Sequence, residues 1–310
     1  MNLEKTVIII QGPTAVGKSA LALFLAEKWQ TEIISGDSRQ VYKYLDVGTA
    51  KPSKTEQQKI KHHLLDIVKP NENYSAGNFC GDVEKIVAKL MQNNKIPIIV
   101  GGTGFYIKSF LEGLFNAPEI PLEVREKFNE LAKVKGVKYL YEKLRKIDPQ
   151  SANRVENNDV NRIIRALEIY EITGKTITQL WAENPSQKRK IETINILITE
   201  ERDTLYEKIN KRVDTMMEAG LLSEMKKILQ LGFKQNDVGM NTVGYRELFP
   251  FFEDEKPLSE CVELIKKHTR NYAKRQFTWY RKINFDLTFT LKNISFSNIE
   301  KEIFTKMENK

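Results

Sequence analysis

Four apolar runs with strand character recur along the chain, at residues 6–11, 32–36, 96–100 and 194–199, and the first three are separated by helical segments. Val7-Ile8-Ile9-Ile10 has the unbroken β-branched form of a buried strand, and Ala20-Leu21-Ala22-Leu23-Phe24-Leu25-Ala26-Glu27 is a run of good helix formers. Such alternation predicts a parallel sheet with helices on its faces. Between residues 116 and 190 the sequence becomes charged and helical, with helices expected at 122–135, 138–146 and 160–171 and a break at Gly136. This stretch reads as a helical insertion between two parts, 1–115 and 191–310, of an α/β core. In its third helix Val160, Ile163, Ile164 and Leu167 share one face, while Arg162 and Arg165 project from the other. The last third returns to the core and continues as helices. Over residues 264–282 the residues Ile265, Tyr272 and Trp279 form a seam at heptad spacing, with Lys266, Arg270, Lys274 and Arg281 gathered on the far side.

Ligands in parallel α/β sheets bind beyond the carboxyl ends of the strands, and Gly12, Asp37 and Gly101 all fall there. The first of these ends carries Gly12-Pro13-Thr14-Ala15-Val16-Gly17-Lys18-Ser19, a full G-x-x-x-x-G-K-[ST] match between a strand and a helix. Glycines let successive N–H groups converge on phosphate oxygens, Lys18 adds a mobile charge, Ser19 offers a hydroxyl to Mg2+, and the following helix contributes its dipole. The expected fold is therefore α/β, with a P-loop NTPase-like parallel-sheet core and the helical insertion. A hydrolase of this kind needs a carboxylate at the tip of a second strand. Here Ile96-Pro97-Ile98-Ile99-Val100 ends in Gly101-Gly102-Thr103-Gly104, a hydroxyl set among glycines. Thr103 there suits a helix N-cap, a ligand contact, or both. The carboxylate follows the other strand as Asp37, placed to take a proton from a nucleophile, although a lone Asp-Ser turn also serves as a cap.

The chain has 310 residues, 41% of them hydrophobic, enough for a normal core with disorder expected only at the Lys-rich C-terminal end. Cys80 and Cys261 are far apart and lack any C-x-x-C pairing, so neither a zinc site nor a disulfide framework is indicated. His62, His63 and His268 lack metal-site spacing; His62-His63 reads as a loop pair. No signal-peptide form and no stretch approaching about 18 apolar residues is present, so a cytoplasmic, membrane-free protein is expected, with a monomer as the default. The formal charge is +8 and the pI about 9.2. Residues 264–282 hold seven of the basic residues and no acidic one, interleaved with aromatics, which favours a nucleic-acid partner.

These blocks occur in a recognisable order. The phosphate loop, Ser35-Gly36-Asp37-Ser38-Arg39-Gln40-Val41-Tyr42, Asp46-Val47-Gly48-Thr49-Ala50-Lys51-Pro52, Leu65-Asp66-Ile67, Gly101-Gly102-Thr103-Gly104-Phe105-Tyr106, Arg162-Ile163-Ile164-Arg165-Ala166-Leu167-Glu168, Val243-Gly244-Tyr245-Arg246 and Ala273-Lys274-Arg275-Gln276-Phe277-Thr278-Trp279 resemble, collinearly and over nearly the whole chain, the bacterial tRNA dimethylallyltransferase family. Gly36, Arg39 and Gly104 depart from its pattern, and the zinc finger of eukaryotic relatives has no counterpart. The resemblance implies transfer of a dimethylallyl group from dimethylallyl diphosphate to N6 of the adenosine 3′ of the anticodon. It implies Asp37 as general base, Thr103 near the bridging oxygen, and residues 12–19 holding the diphosphate with Mg2+ on Ser19. Arg202 is the first choice for a further cation on the leaving group and Arg212 the second. For the tRNA anticodon stem-loop it implies contacts from Asp37, Ser38, Arg39, Gln40 and Thr103, and from Arg125, Asn161, Arg162 and Arg165 in the insertion. Asn241, Gly244, Tyr245, Arg246, Lys274, Arg275 and Arg281 complete the set. A P-loop small-molecule kinase, an isopentenyltransferase acting on free AMP and a non-enzymatic RNA-binding protein are the alternatives.

Overall fold

The computed structural model describes residues 6–114, 118–183 and 191–309. Two compact units result, one from the described residues up to 111 and from 191 onward, the other from those between 112 and 183. The boundary residues expected from the sequence, Asn116 and Lys190, lie outside the described residues.

The first unit is built on six parallel strands, β1 (Thr6–Gln11), β2 (Ile33–Ser35), β3 (His62–His63), β4 (Ile98–Gly101), β5 (Glu192–Thr199) and β6 (Leu287–Thr290). They lie in the order β3-β2-β4-β1-β5-β6. β1 sits inside the sheet and every one of its residues is buried, as its unbroken apolar run predicts. The four strands expected from hydrophobic runs are present. Two more are not foretold by periodicity. β3 is the histidine pair read as a loop, two half-buried residues pairing with Ile33 and Ile34 at one edge. β6 forms the other edge.

The helices of this unit are α1 (Lys18–Lys28), α2 (Lys54–Lys59), α3 (Ala76–Gln92) and α4 (Gly104–Glu112) before the insertion. The insertion holds α5 (Leu122–Lys135), α6 (Val137–Ile147), α7 (Pro149–Ala152), α8 (Val160–Thr173) and α9 (Ile177–Glu183). After it come α10 (Arg202–Glu218), α11 (Leu221–Gln230), α12 (Phe249–Phe252), α13 (Leu258–Tyr280) and α14 (Phe296–Glu308). Ile8, Ile10, Leu21, Leu25, Ile98 and Ile196 are wholly buried and join sheet to α1. A second cluster, around Tyr245, Val213, Leu221 and Ile265, locks α10, α11 and α13 onto residues 41–45. The C-terminal end is ordered through Asn309, against expectation. Ser295 caps α14, Ile299 and Ile303 enter the main core, and Glu300 accepts from Trp29 and pairs with Lys28. Apolar residues at helical spacing thus outweigh the lysines between them.

The second unit packs around Phe128, Leu140, Leu144, Ile163 and Leu167. Asp159 caps α8 by accepting from Arg162 N, and Gly174 ends it in the left-handed region at φ 66°.

Candidate active site

The loop from β1 to α1 reverses through Gly12 (φ 152°), Ala15 (φ 63°) and Gly17 (φ 100°). At Gly12 a Cβ would lie 2.1 Å from the Ile198 carbonyl oxygen, so only glycine lets the loop pass β5. Lys18 Nζ donates to the Pro13 carbonyl across the loop (2.6 Å). Gln276 on α13 accepts from Thr14 N (2.9 Å) and donates to Gly102 O (2.8 Å), and Tyr280 donates to Gly12 O (3.2 Å). Sequence reasoning missed these two clamps.

Asp37 follows β2, and its Oδ1 accepts from Arg39 N (2.8 Å), which closes a tight turn. The β4 tip faces that turn. Thr103 N donates to Gly36 O (3.3 Å), while its Oγ1 accepts from Ser38 N (2.9 Å) and donates to Ser38 Oγ (3.2 Å). This close approach needs Gly101, where a Cβ would meet the Gly36 backbone at 2.2 Å. Gly104 is required for a different reason, since a Cβ there would lie 2.0 Å from Trp279 Nε1. Asp37 and Thr103 are therefore joined by backbone, not brought together by side-chain chance.

A cavity of about 410 Å³ opens on one side of this pair, lined by Arg39, Thr49, Phe105, Met216, Arg246 and Trp279 among others. A smaller cavity of about 90 Å³ shares Asp37 and Arg212 with it and is lined also by Thr14, Lys18, Ser19 and Gln40. Burial, reinforced by the Arg212 charge and opposed by Asp37, pulls the Lys18 ammonium down to about 7. Burial also lowers Arg212, with Asp37 opposing it. Burial and the Asp37 charge raise Tyr272, whose phenol faces Asp37 and Thr103. The smaller cavity thus gathers two desolvated basic side chains, Lys18 and Arg212, beside the start of α1, an arrangement suited to an anion.

The model of the IPP transferase family matches residues 40–283 of this chain. The chain belongs to the IPP transferase family. A tRNA dimethylallyltransferase of Carboxydothermus hydrogenoformans is 45% identical over 90% of both chains. One of Caldanaerobacter subterraneus subsp. tengcongensis is 41% identical over 98% of both. Among solved structures, a tRNA delta(2)-isopentenylpyrophosphate transferase of Staphylococcus epidermidis superposes with a TM-score of 0.71 at 36% identity, covering 98% of this chain and 99% of that one. A eukaryotic dimethylallyltransferase described as acting on tRNA reaches 0.80 at 30% identity, covering 93% and 75%. The P-loop NTPase-like fold expected from the sequence is the fold of these neighbours.

In this IPP transferase three sequence expectations need correction. Arg202 does not line the cavities described; at the start of α10 it is exposed, donates to Tyr206 Oη (3.0 Å) and lies over that ring. Arg212, two to three turns further along α10, points into both cavities instead. Tyr245 cannot touch RNA: it is wholly buried, with its hydroxyl committed to Glu224 and Gly48. On α13, Lys266 pairs with Asp214 and Glu263, and Arg270 donates to Asn210, so both serve the packing on α10. Lys274, Arg275 and Arg281 remain exposed, as does Asn241. Gly244, at φ 106°, donates to the buried Glu247, which also holds Arg246 (2.6 Å) and His268 (2.7 Å). In the second unit Asn161, Arg125 and Arg162 are exposed, and Arg125 and Arg165 bracket the buried Glu168.

Among the described residues no group of three or more His, Cys, Asp or Glu is arranged to hold a metal. Nor is any helix long and apolar enough to cross a membrane. Ser19, at the start of α1 and in the wall of the smaller cavity, fits a cation shared with a phosphate ligand.

The Lys18 environment has a measurable consequence. Near pH 7 its amine is about half protonated, and a bound polyphosphate favours the ammonium form, so binding takes up a proton above that pH. Calorimetry with inorganic diphosphate in two buffers of different ionisation enthalpy should show this uptake between pH 7 and 9, with affinity falling as pH rises. Lys18→Ala should remove it, and equal uptake in both proteins would refute the assignment. In the free protein the same lowered value makes this group's stability contribution rise with pH from about 7 toward 10.5, where the unfolded chain still holds the proton.

Proposed function

We propose that this chain transfers the dimethylallyl group of dimethylallyl diphosphate to N6 of the adenosine 3′ of the anticodon in tRNA. The observation that carries the reading is the Asp37–Thr103 pair, bonded through Ser38, with both residues in the wall of a large partly apolar cavity and Asp37 also in the wall of a small cationic one. A base drawn out of the anticodon loop enters the large cavity, at a cost of about a few kcal/mol of unstacking that backbone contacts offset. The N6 lone pair forms the bond to C1 of the allyl group as the C1–O bond breaks. The N6 proton passes to the Asp37 carboxylate, and the bridging oxygen leaves with the diphosphate. Thr103 Oγ1 meets that oxygen. Loop N–H groups, Lys18 and Arg212 stabilise the charge that develops on it. Ser19 would hold Mg2+, which when bound would supply further charge neutralisation.

The insertion, with Arg125, Asn161, Arg162 and Arg165, grips the anticodon arm, and Asn241, Arg246, Lys274, Arg275 and Arg281 contact RNA from the core. Ser38, Arg39 and Gln40 read the base. The protein works as a cytoplasmic monomer. Incubation with dimethylallyl diphosphate and unmodified tRNA, digestion to nucleosides and mass spectrometry should yield N6-(dimethylallyl)adenosine. Its absence, or product from AMP instead of tRNA, would overturn the reading.

Neutralising Arg162, Arg165 and Lys274 together is expected to weaken tRNA binding and flatten its salt dependence by about 0.7–0.9 per lost phosphate contact. Filter binding across a salt series measures this, and an unchanged slope would return the three residues to ordinary surface.

A further inference from the structure

Gly48 and Thr49 line the larger cavity and Thr49 and Ala50 the smaller, yet the backbone leading into them is held from a distant helix. Glu224, in the first turn of α11, accepts from Asp46 N (3.1 Å), Val47 N (2.9 Å) and Gly48 N (3.4 Å). Three successive N–H groups converging on one carboxylate make an anion nest with its occupant built in. Tyr245 completes it, donating to Glu224 Oε1 (2.6 Å) and accepting from Gly48 N (3.0 Å). Burial, with Glu224 second, raises that phenol well above its ordinary range, so it stays a donor. Gly48 has no room for a side chain, since a Cβ would lie 2.5 Å from the Tyr245 ring.

This wall in turn holds the Gln40 side chain. The carbonyls of Thr49 and Ala50 accept from Gln40 Nε2 (3.3 and 3.2 Å), while Gln40 Oε1 accepts from Ser35 Oγ (3.0 Å). The Gln40 amide is fixed at both ends, and one end depends on where the 45–50 backbone lies. The loop has a second anchor in Lys51, buried between Asp46 (2.7 Å) and Asp66 (2.5 Å). Loss of Glu224 therefore loosens the wall without releasing the whole segment.

We infer that Glu224 is a positioning residue for base binding: through the 46–48 backbone and Tyr245 it sets the Gly48–Thr49 wall of the larger cavity, which receives the adenine. This rests on the proposed function. Of the residues whose N–H groups Glu224 holds, Gly48 lines the larger cavity and none lines the smaller, so the two substrates should respond differently. Removing the carboxylate leaves backbone donors without their partner, a loss that corresponds to about tenfold or more, and Glu224→Ala should raise KM for tRNA by that factor. KM for dimethylallyl diphosphate should stay within about twofold. Glu224→Gln, which sets an amide among donors, should behave alike, and Tyr245→Phe should fall between. The double variant Glu224→Ala with Tyr245→Phe should be no more than about twofold worse than Glu224→Ala alone, because the two groups act as one unit. An unchanged KM for tRNA, an equal rise in both KM values, or an effect confined to Tm overturns the inference. Where the alanine variant does not fold, Glu224→Gln, of the same volume, gives the same reading. A wild-type protein that makes no prenylated tRNA sinks the proposed function itself, whereas active wild type with an unaffected Glu224 variant sinks only this inference.

Discussion

Replacing Asp37 with asparagine is expected to lower kcat for prenyl transfer by about 10²-fold or more while leaving tRNA affinity within about threefold of wild type. The asparagine comparison is informative because Asp37 closes a turn and, in the proposed reaction, also takes the proton. Its Oδ1 caps the turn by accepting from Arg39 N, which an amide oxygen also does, whereas proton removal from N6 needs the carboxylate. Asp37→Ala removes both functions and should add a loss of base recognition, seen as a higher KM for tRNA. An adenine N6 amine shares its lone pair with the ring and is a poor nucleophile until its proton is taken. A single-turnover rate in Asp37→Asn close to wild type would remove Asp37 from the chemistry and leave it as a turn residue. A matching loss in filter binding would instead make it a recognition group.

How much of this site could be read from residues alone follows from which contacts are local. The phosphate loop, Asp37 and Thr103 were legible because each sits at the carboxyl end of a strand marked by its own apolar run, and a parallel sheet gathers such ends. β3 and β6 were not legible. An edge strand of two histidines, or of four residues none of which is fully buried, leaves no pattern that separates it from a loop. The basic face of α13 was legible as charge but not as allegiance. Lys266 and Arg270 meet acidic and amide partners on α10 that lie more than fifty residues away in sequence, and only the packing of the two helices decides which cations are spent inside the fold. Tyr245 shows the same limit from the other side. Within Val243-Gly244-Tyr245-Arg246 it stands beside an arginine that does line the cavity, yet its ring points into the core and reaches the site only through Glu224 and Gly48. Gln276 and Tyr280, which tie the phosphate loop to the β4 tip, escaped notice because a glutamine and a tyrosine on a charged helix carry no periodic signal of their own.

Arg212→Ala should cost about 10²–10³ in kcat, while Arg202→Ala should stay within about twofold of wild type. The contrast follows from the geometry of α10. Leu205, Ile209 and Val213 form its buried stripe, and Arg212 with Met216, one turn apart, forms the neighbouring stripe that faces the cavities. Arg202 lies at the exposed first turn and spends its guanidinium on Tyr206. A cation that lines the same small cavity as Lys18 and Asp37, desolvated and with its field acting on both, stabilises a leaving diphosphate far more than an exposed one does. Arg212→Lys should recover only part of the rate, because a point charge on a flexible stem cannot span two phosphate oxygens as a planar fork can. The same substitution bears on Lys18. The Arg212 charge helps hold the Lys18 ammonium down at about 7, so Arg212→Ala must move that value upward and shift the proton uptake on diphosphate binding to higher pH. Arg202→Ala must leave it in place. Equal losses in the two alanine variants, or an uptake profile that ignores Arg212, would show that the leaving group is held by the loop and metal without a cation from α10.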